Sequence, residues 1–396
     1  MKGFSVLVLS SLAFIKCHVL ILRIASRMVG YYNTLREKVQ NDRGTALVLF
    51  GLAILLLDLI FKLITGETRS QIVATYLWDG LVIGLAIGLA GVGLSLTYSI
   101  LKFANFAHGD MITAGGFSGW VAVFAVMGVG RFDMKNLLLV GAGNPINVTE
   151  LGISVSTTPI AILFGLVVAI IGTVLLTLLI DRFVFRPMRH HNDGIALLIA
   201  SIGVSLALRY GLAFIFKTQN RGLTAASLTA SYSVPVGTGS VQIDLGEITL
   251  VLVAVVLMVC VHMFLQYSTL GKAMRAMADN RDLALITGIP TEKVVRATWI
   301  IGGALTGAAG FLITLERGTI SFQFGWILLL LIFAAVIIGG IGSVYGAIAG
   351  GIVIGFTSTV SLIWIPADLA NVAVFSVMVL VLLYKPEGLF KGVTTA

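Results

Sequence analysis

The sequence predicts an all-α, polytopic integral membrane protein with about ten transmembrane helices, and three observations lead to this fold class. Only 11% of the 396 residues are charged, whereas soluble domains carry about 25%. Hydrophobic residues make up 58% of the chain, and the mean hydropathy is +1.04. Apolar runs of about 20 residues, enough to cross a bilayer core as a helix, recur along the chain. This composition excludes a water-soluble enzyme.

Ten apolar runs are predicted to be membrane spans. They lie near residues 45–65, 80–101, 111–130, 159–181, 194–216, 247–267, 297–315, 325–341, 344–363 and 370–384. The eighth run is short and ends in glycines, which makes it a candidate for a broken or re-entrant helix packed by protein or lining water. An eleventh run, Phe4–Leu22, is interrupted by Lys16 and His18, and it either crosses the membrane or reflects a misassigned start.

The distribution of Lys and Arg predicts the orientation of these spans. With residues 23–43 inside and ten alternating spans, the inner segments hold 16 Lys and Arg, and the outer segments hold 6. Cytoplasmic segments carry such an excess, so both ends of the ten-span core are expected in the cytoplasm. The same rule accounts for the formal net charge of +8 without a nucleic-acid partner.

The longest inner segment, residues 268–296, has the pattern of an amphipathic helix. From residue 270 it reads LGKAMRAMADNRDLALITGIPTEKVVR, with apolar and small residues set among charges. We expect a helical stretch within Arg275–Ile289 that Gly288 ends as a cap, because Pro290 cannot continue it. Its apolar side must be buried on the membrane surface or on a protein partner, and the pattern alone leaves both open, together with a solvated loop.

Four segments of the chain resemble, in the same order, the ABC importer permeases of the branched-chain amino acid family, the LivH type. They are NFAHGD at 105–110, RAMADNRDLALITGIPTEKVVRATWIIGGALTGAAGFL at 275–312, FAAVIIGGIGSVYGAIAGGIVIG at 333–355 and LYKPEGLF at 383–390. Two positions depart from the family pattern, since Asp110 stands where Glu is common and no proline lies near Phe322. These departures weaken any specific substrate assignment and leave the transporter class unaffected.

The resemblance implies the architecture and the partners. Residues 76–396 would form an ABC importer permease domain in the cell membrane of a prokaryote, behind an N-terminal extension at 1–75 with one or two apolar segments. A second permease, cytoplasmic ATPase subunits and an extracytoplasmic solute-binding protein would complete the complex within membrane lipid. The chain lacks the glycine-rich phosphate loop that ends in Lys followed by Ser or Thr. ATP is therefore expected on partner subunits, with no cofactor and no enzyme activity in this chain.

Two groups of residues are predicted to carry the function. For coupling to the ATPase, charged residues would fix the orientation of the helix and small or apolar residues would pack closely: Arg275, Asp279, Arg281, Asp282, Ala284, Gly288 and Ile289. For the translocation path or its inner gate, the candidates are Asn105, His108, Asp110, Arg209, Gly340 and Gly342. The NFAHGD motif is explained equally well as a short inner turn in which Asn105 or Asp110 caps a helix.

Charged side chains within the spans need partners, because each costs roughly 2.5–3.5 kcal/mol near the bilayer centre. Asp58 and Lys62 lie four residues apart on one helix face and are expected to pair. Arg209 has no acidic residue nearby in the sequence. It is expected either to meet the carboxylate of an amino acid substrate or to reach the outer headgroups.

The function predicted from these features is ATP-driven import of a small polar solute, with branched-chain or other neutral amino acids favoured. A urea or amide permease of the same class would show the same motifs. An ion-coupled secondary transporter would need acidic residues near the midplane, and apart from Asp58 the predicted spans contain almost none. An enzyme or a metal site would need clustered polar side chains, and the five histidines are scattered, so no catalytic or metal-binding residue is predicted.

Overall fold

The computed structural model describes residues 43–128, 152–189, 194–224, 229–237 and 239–390. The chain divides into two units, residues 1–68 and 69–396. In the first unit the helix α1, Arg43–Thr65, coincides with the first predicted span. The predicted pair on this helix is present, with 3.2 Å between Lys62 Nζ and Asp58 Oδ2. The candidate span Phe4–Leu22 lies outside the described residues.

The second unit is built almost entirely of helices. They are α2 (Ser70–Leu101), α3 (Ala107–Met127), α4 (Pro159–Ile180), α5 (Gly194–Phe216), α6 (Leu245–Tyr267), α7 (Thr269–Asp279), α8 (Arg281–Ile286), α9 (Thr291–Arg317), α10 (Phe324–Gly339), α11 (Val344–Val360) and α12 (Ala370–Tyr384). After α4 the chain stays helical through a π-helical turn, Asp181–Phe185, and a short α-helical turn, Arg186–Met188. Short 3-10 turns, Ser361–Ile363 and Ala367–Leu369, connect α11 to α12.

Two small antiparallel sheets join helix ends. The strands β1 (Arg221–Gly222) and β4 (Thr319–Ile320) pair Arg221 with Ile320. The strands β2 (Ser231–Val236) and β3 (Gly239–Asp244) form a hairpin in which Ser231 faces Asp244. Asp244 then begins α6 through a capping box with Glu247, which satisfies free backbone N–H groups at the helix start.

The helices confirm the predicted fold class of a polytopic helical membrane protein. Among the described residues, eight helices are long and apolar enough to cross a membrane, and α10, with 16 residues, is a shorter apolar helix. The helix α2 begins ten residues before the predicted span at 80, so it passes without a break through the predicted domain boundary after residue 75. That boundary stays a prediction.

The helices α2, α3 and α9 form the centre of the second unit. Most residues of α2 are buried, whereas Val374 is the one buried residue of α12. The helix α2 packs against α11 through glycines, because a Cβ atom on Gly355 would lie 2.2 Å from the carbonyl oxygen of Gly80. Only residues without a side chain let two helix backbones approach this closely. The buried centre therefore depends on glycine as much as on bulky apolar residues.

Candidate translocation site and coupling segment

A buried ion pair joins α3 to α5. Asp110, in the first turn of α3, is 0% exposed. Arg209, on α5, donates to both of its carboxylate oxygens, with 3.1 Å from Nε to Oδ1 and 3.0 Å from Nη2 to Oδ2. The Ser205 hydroxyl donates to the same carboxylate, and the guanidinium lies 4.2 Å from the ring centre of Trp326 on α10. This bidentate geometry is the strong form of an Arg–carboxylate contact.

The ion pair supplies the Arg209 side chain with the acidic partner that the sequence near it lacks. Arg209 lies 15 residues after Gly194, about 22 Å along α5, and needs a partner at that depth. Asp110 of the same chain satisfies it, so neither of the two expected partners, a substrate carboxylate or an outer headgroup, is required. The expectation was incomplete because the partner is distant in sequence.

The NFAHGD motif lies beside the middle of α2. The His108 imidazole is buried, with its Nε2 3.0 Å from the carbonyl oxygen of Ala90. Ala90 comes 11 residues before Leu101, the end of α2, which is about 16 Å along the axis. Asn105 and Phe106 lie in the short connection before α3, as expected, but His108 and Asp110 belong to the first turn of α3, so their placement in an inner turn was wrong.

Asn105 has the local role that the sequence allowed for it. Its Oδ1 accepts the backbone N–H of Ala107 at 3.1 Å, at the start of α3. Its buried Nδ2 has no hydrogen-bond partner among the described residues. The alternative role of Asp110 as a helix cap was wrong, since the Asp110 carboxylate accepts from Arg209 and Ser205.

The helices α3 and α10 meet backbone to backbone next to this pair. A Cβ atom on Gly325 would lie 1.8 Å from the carbonyl oxygen of Gly109. The Gly325 N–H donates to the Thr113 hydroxyl at 2.9 Å. This contact fixes the start of α10, and with it Trp326, against the helix that carries Asp110. Three helices thus converge on one buried charge.

The predicted coupling segment is two helices and not one. Asn280 has extended backbone angles (φ −151°, ψ 106°) between α7 and α8, and its side chain accepts the N–H of Leu283 at 3.0 Å. Asn280 therefore ends α7 and caps α8, which corrects the expectation of one continuous helical stretch. Gly288 follows α8 with φ +82°, a conformation that glycine adopts at helix ends without steric cost.

The predicted coupling residues divide into buried and exposed positions. Ala284 is 2% exposed and packs within the chain, and Ile289 is half-buried. Gly288 has no atom within 4 Å of a Cβ built on it. The charged residues Asp279, Arg281 and Asp282 are exposed. The tight packing expected at Ala284 is thus present inside the chain and not on a free surface.

Three apolar side chains on α8 face outward. Leu283, Leu285 and Ile286 are 58%, 60% and 81% exposed. They form, with the exposed charges around them, a surface that we call the α8 patch. An apolar centre with a charged rim is typical of protein interfaces. Sequence periodicity placed these residues on the helix but could not tell which side was covered.

Two contacts tie α7 to the transmembrane helices. Lys102, just after α2, donates from Nζ to the carbonyl oxygen of Ala278 at 2.8 Å. Arg275 donates from Nη1 to Gln266 Oε1 on α6 at 2.6 Å. The amide of Gln266 lies 3.4 Å from the Tyr345 hydroxyl on α11. Neither Lys102 nor Tyr345 was a candidate in the sequence analysis, and no local pattern would have identified them.

The glycines predicted at the inner gate form the turn between α10 and α11. Gly340 has φ +103° and Gly342 has φ +87°, so both use conformations that favour glycine. The C-terminal segment covers Gly340, since a Cβ atom on Gly388 would lie 2.5 Å from the Gly340 Cα atom. The Leu389 N–H also donates to the Ile338 carbonyl at 2.8 Å. The chain reverses direction at this turn between α10 and α11, and contacts with the C-terminal segment hold the turn in place.

The described residues contain no group of three or more His, Cys, Asp or Glu side chains that could hold a metal ion. The protein has a buried ion pair where α3, α5 and α10 meet, and an exposed apolar surface on a segment that is held to α2, α6 and α11. Both suit movement of helices against one another.

Comparison with known proteins gives the family. The sequence profile of the family described as "Branched-chain amino acid transport system / permease component" matches residues 76–384. The high-affinity branched-chain amino acid transport system permease protein LivH of Escherichia coli is 29% identical over 317 residues, covering 79% of this chain and 94% of that protein. LivH of Salmonella typhimurium is 27% identical with the same coverage. BraD of Pseudomonas aeruginosa, a permease protein of the same description, is 26% identical over 313 residues, covering 78% and 93%.

The profile match extends over most of the second unit, and the three relatives align over nearly their whole lengths. The helical bundle agrees with a transport permease embedded in a membrane. This chain belongs to the family of permease components of branched-chain amino acid transport systems.

Proposed function

We propose that this protein is the membrane-spanning subunit of an ATP-driven importer for branched-chain or other neutral amino acids. The names of the relatives, all branched-chain amino acid permeases, support the solute class. The α8 patch supports a separate energy-supplying partner, because transport by this chain alone would leave that apolar surface in water.

The single observation that carries the coupling role is the α8 patch on a segment anchored to three transmembrane helices. Lys102 links the segment to the end of α2, and Arg275 links it through Gln266 to α6 and α11. A force on α8 is passed on through these contacts and through α9, which begins at Thr291. The partner is an ATPase on the cytoplasmic side, where the Lys and Arg distribution puts this segment.

The gate is formed, in this proposal, where α3, α5 and α10 meet. The Asp110–Arg209 pair holds α3 to α5, and the backbone contact of Gly109 with Gly325 holds α3 to α10. Asn105 and His108 stiffen the start of α3, and the turn at Gly340 and Gly342 sets the inner end of α10. Rocking of these helices as packed units would open the path first to one side and then to the other.

The remaining partners follow from the same class of importer. A second permease subunit completes the path, and an extracytoplasmic solute-binding protein delivers the amino acid. The chain lies in the cell membrane of a prokaryote with both ends of its helical core in the cytoplasm. ATP binds to the ATPase subunits and not to this chain.

The test is isolation of the tagged full-length chain from its native membrane. We expect ATP-hydrolysing subunits to co-purify with it, and the double variant Leu285→Ser/Ile286→Ser to lose them while inserting normally. The matched control is Ile341→Ser/Leu389→Ser, which removes two exposed apolar side chains from outside the α8 patch. Equal retention of the ATPase by both double variants would contradict the coupling role.

The solute class is tested separately by competition. Uptake of labelled leucine should be inhibited by unlabelled isoleucine and valine and unaffected by urea at the same concentration. Inhibition by urea alone would assign the chain to an amide importer.

A further inference from the structure

A basic cavity lies where α4 passes into its π-helical turn. Its volume is about 390 Å³, and it lies between that turn and the first turns of α9. Three arginines, two carboxylates and one leucine line it: Arg182, Arg186, Arg296, Asp181, Glu292 and Leu178. Single π-turns inside helices are frequently found at functional sites.

Both carboxylates of the cavity form ion pairs with arginines of the same chain. Asp181 is paired with the buried Arg189, and Arg186 Nε lies 3.4 Å from Glu292 Oε2 in a second ion pair. Arg189 also lies 3.7 Å from Glu292. Four guanidinium groups and two carboxylates leave the cluster with a net charge of +2. The cluster around the cavity is therefore positively charged and suits an anionic ligand.

Two arginines of the cavity form no salt bridge with a described carboxylate. In the part of the chain that the structure describes, neither Arg182 nor Arg296 forms a salt bridge, and both side chains are exposed. The buried Nε of Arg189, in the same cluster, also has no acceptor among the described residues. Guanidinium groups arranged in this way bind phosphate oxygens through paired hydrogen bonds.

An apolar stripe runs along α4 into the π-helical turn that follows it, and we call it the α4 stripe. Ile171, Leu175, Leu179 and Phe183 follow one another at four-residue intervals and are 53%, 57%, 53% and 70% exposed. They cover about 18 Å of helix length, and they point away from the bundle into the hydrocarbon that surrounds a membrane protein. Phe183, the last residue of the stripe, lies beside the cavity, since the Arg182 guanidinium is 5.8 Å from its ring centre.

We propose that this cavity and stripe form a binding site for one anionic phospholipid. The phosphate of the headgroup would bind Arg182 and Arg296, and an acyl chain would lie along the α4 stripe. Basic pockets between helices on the cytoplasmic side of membrane proteins suit such headgroups. A free phosphate compound would contact the arginines alone, whereas a phospholipid would contact both the arginines and the adjoining apolar stripe, which is why the geometry favours a lipid.

The site has a consequence for coupling. Glu292 and Arg296 lie in the first turns of α9, directly after α8, whereas Arg182 and Arg186 belong to the end of α4. A headgroup bound between them fixes the start of α9 against α4. Since α8 leads into α9, an anionic lipid would stiffen the connection that carries the movement of the coupling segment.

The test is binding of fluorescent phosphatidylglycerol to the purified full-length chain in zwitterionic detergent, followed by fluorescence anisotropy. We expect saturable binding that phosphatidylcholine does not show. The variant Arg182→Gln/Arg296→Gln should bind about 30-fold more weakly, as expected for loss of two basic contacts to a headgroup. The control Lys272→Gln/Lys293→Gln removes two exposed charges near α7 and α9 that do not line the cavity, and it should bind as the unmodified chain does.

Further arms distinguish the source of the phosphate. Glycerol 3-phosphate should not displace the lipid, and Phe183→Ser should weaken lipid binding because it interrupts the stripe. An equal loss of lipid affinity in both double variants would show that only the total surface charge matters, and it would overturn the proposal. Displacement by millimolar glycerol 3-phosphate would make the site one for a soluble phosphate. If the unmodified chain binds phosphatidylcholine as tightly as phosphatidylglycerol, the proposal of an anionic-lipid site is also overturned.

Discussion

Arg209 binds both carboxylate oxygens of Asp110, although 99 residues separate them in the sequence. The pair is covered by Ser205 and by the ring of Trp326, so it brings α3, α5 and α10 together at one buried charge. Removing one member leaves the other charge unpaired in a low-dielectric environment, where it is expensive. The pair is therefore the most sensitive point of the proposed gate.

The first prediction concerns this pair. Arg209→Gln and Asp110→Asn should each destabilise the folded chain by about 3–5 kcal/mol, because each leaves an uncompensated buried charge. The double variant Asp110→Asn/Arg209→Gln should recover part of that loss, since two neutral amides can hydrogen-bond to each other. Thermal unfolding of the purified chain in detergent measures all three, with the exposed Arg69→Gln as the control. Single variants as stable as that control would contradict the description of the pair.

The second prediction concerns the backbone contact of α3 with α10. Gly325→Ala places a methyl group 1.8 Å from the carbonyl oxygen of Gly109, so the two helices must separate. We expect a large loss of folded protein in the membrane. The control Gly211→Ala meets nothing within 4 Å and should be neutral, or stabilising by up to about 1 kcal/mol. The yield of monodisperse protein after extraction compares them, and similar yields would show that the helices do not pack as described.

A third prediction tests the turn after α8. Gly288 has φ +82° and open space around it, so any cost of substitution comes from the backbone and not from a clash. Gly288→Val should be strained by about 1–3 kcal/mol and should uncouple transport, while Gly288→Asn, which tolerates this conformation, should retain most of it. Uptake per inserted molecule separates the two. Full uptake by the valine variant would show that coupling does not depend on the conformation of this turn.

The contacts of Tyr345 on α11 with α6, to which Arg275 of α7 is also joined, give a fourth prediction. Tyr345→Phe removes the hydroxyl that contacts His262 Nδ1 and lies 3.4 Å from Gln266. We expect the ATPase to bind normally while less solute moves per ATP hydrolysed. Tyr210→Phe, an exposed tyrosine on α5, serves as the control. The ratio of uptake to hydrolysis is the measurement, and an unchanged ratio would show that these contacts only support the fold.

Much of the fold was predictable because apolar runs and membrane spans share one length scale. The predicted run at 194–216 has the bounds of α5, and that at 370–384 has the bounds of α12. Helix starts inside the bundle were less predictable. One interpretation of the NFAHGD motif was a short inner turn, whereas His108 and Asp110 lie in the first turn of α3 and have buried partners on α2 and α5.

The site was only partly predictable, for two physical reasons. Pairing between Asp110 and Arg209 depends on how distant helices pack, and no local pattern encodes it. The break at Asn280 was encoded, since Asn before a short apolar stretch is a helix-start signal, but the amphipathic pattern on both sides obscured it. Which side of α8 is covered depends on tertiary packing. The buried Ala284 was therefore included among the residues predicted to contact the ATPase, and the exposed Leu285 was omitted.

The most direct measurement of the central claim is leucine uptake into right-side-out vesicles that contain this chain with its native companions. Uptake should require ATP inside the vesicles, should stop when a non-hydrolysable analogue replaces it, and should persist when ionophores collapse the ion gradients. Uptake that continues without internal ATP and disappears with the ionophore would contradict the account and identify an ion-coupled carrier.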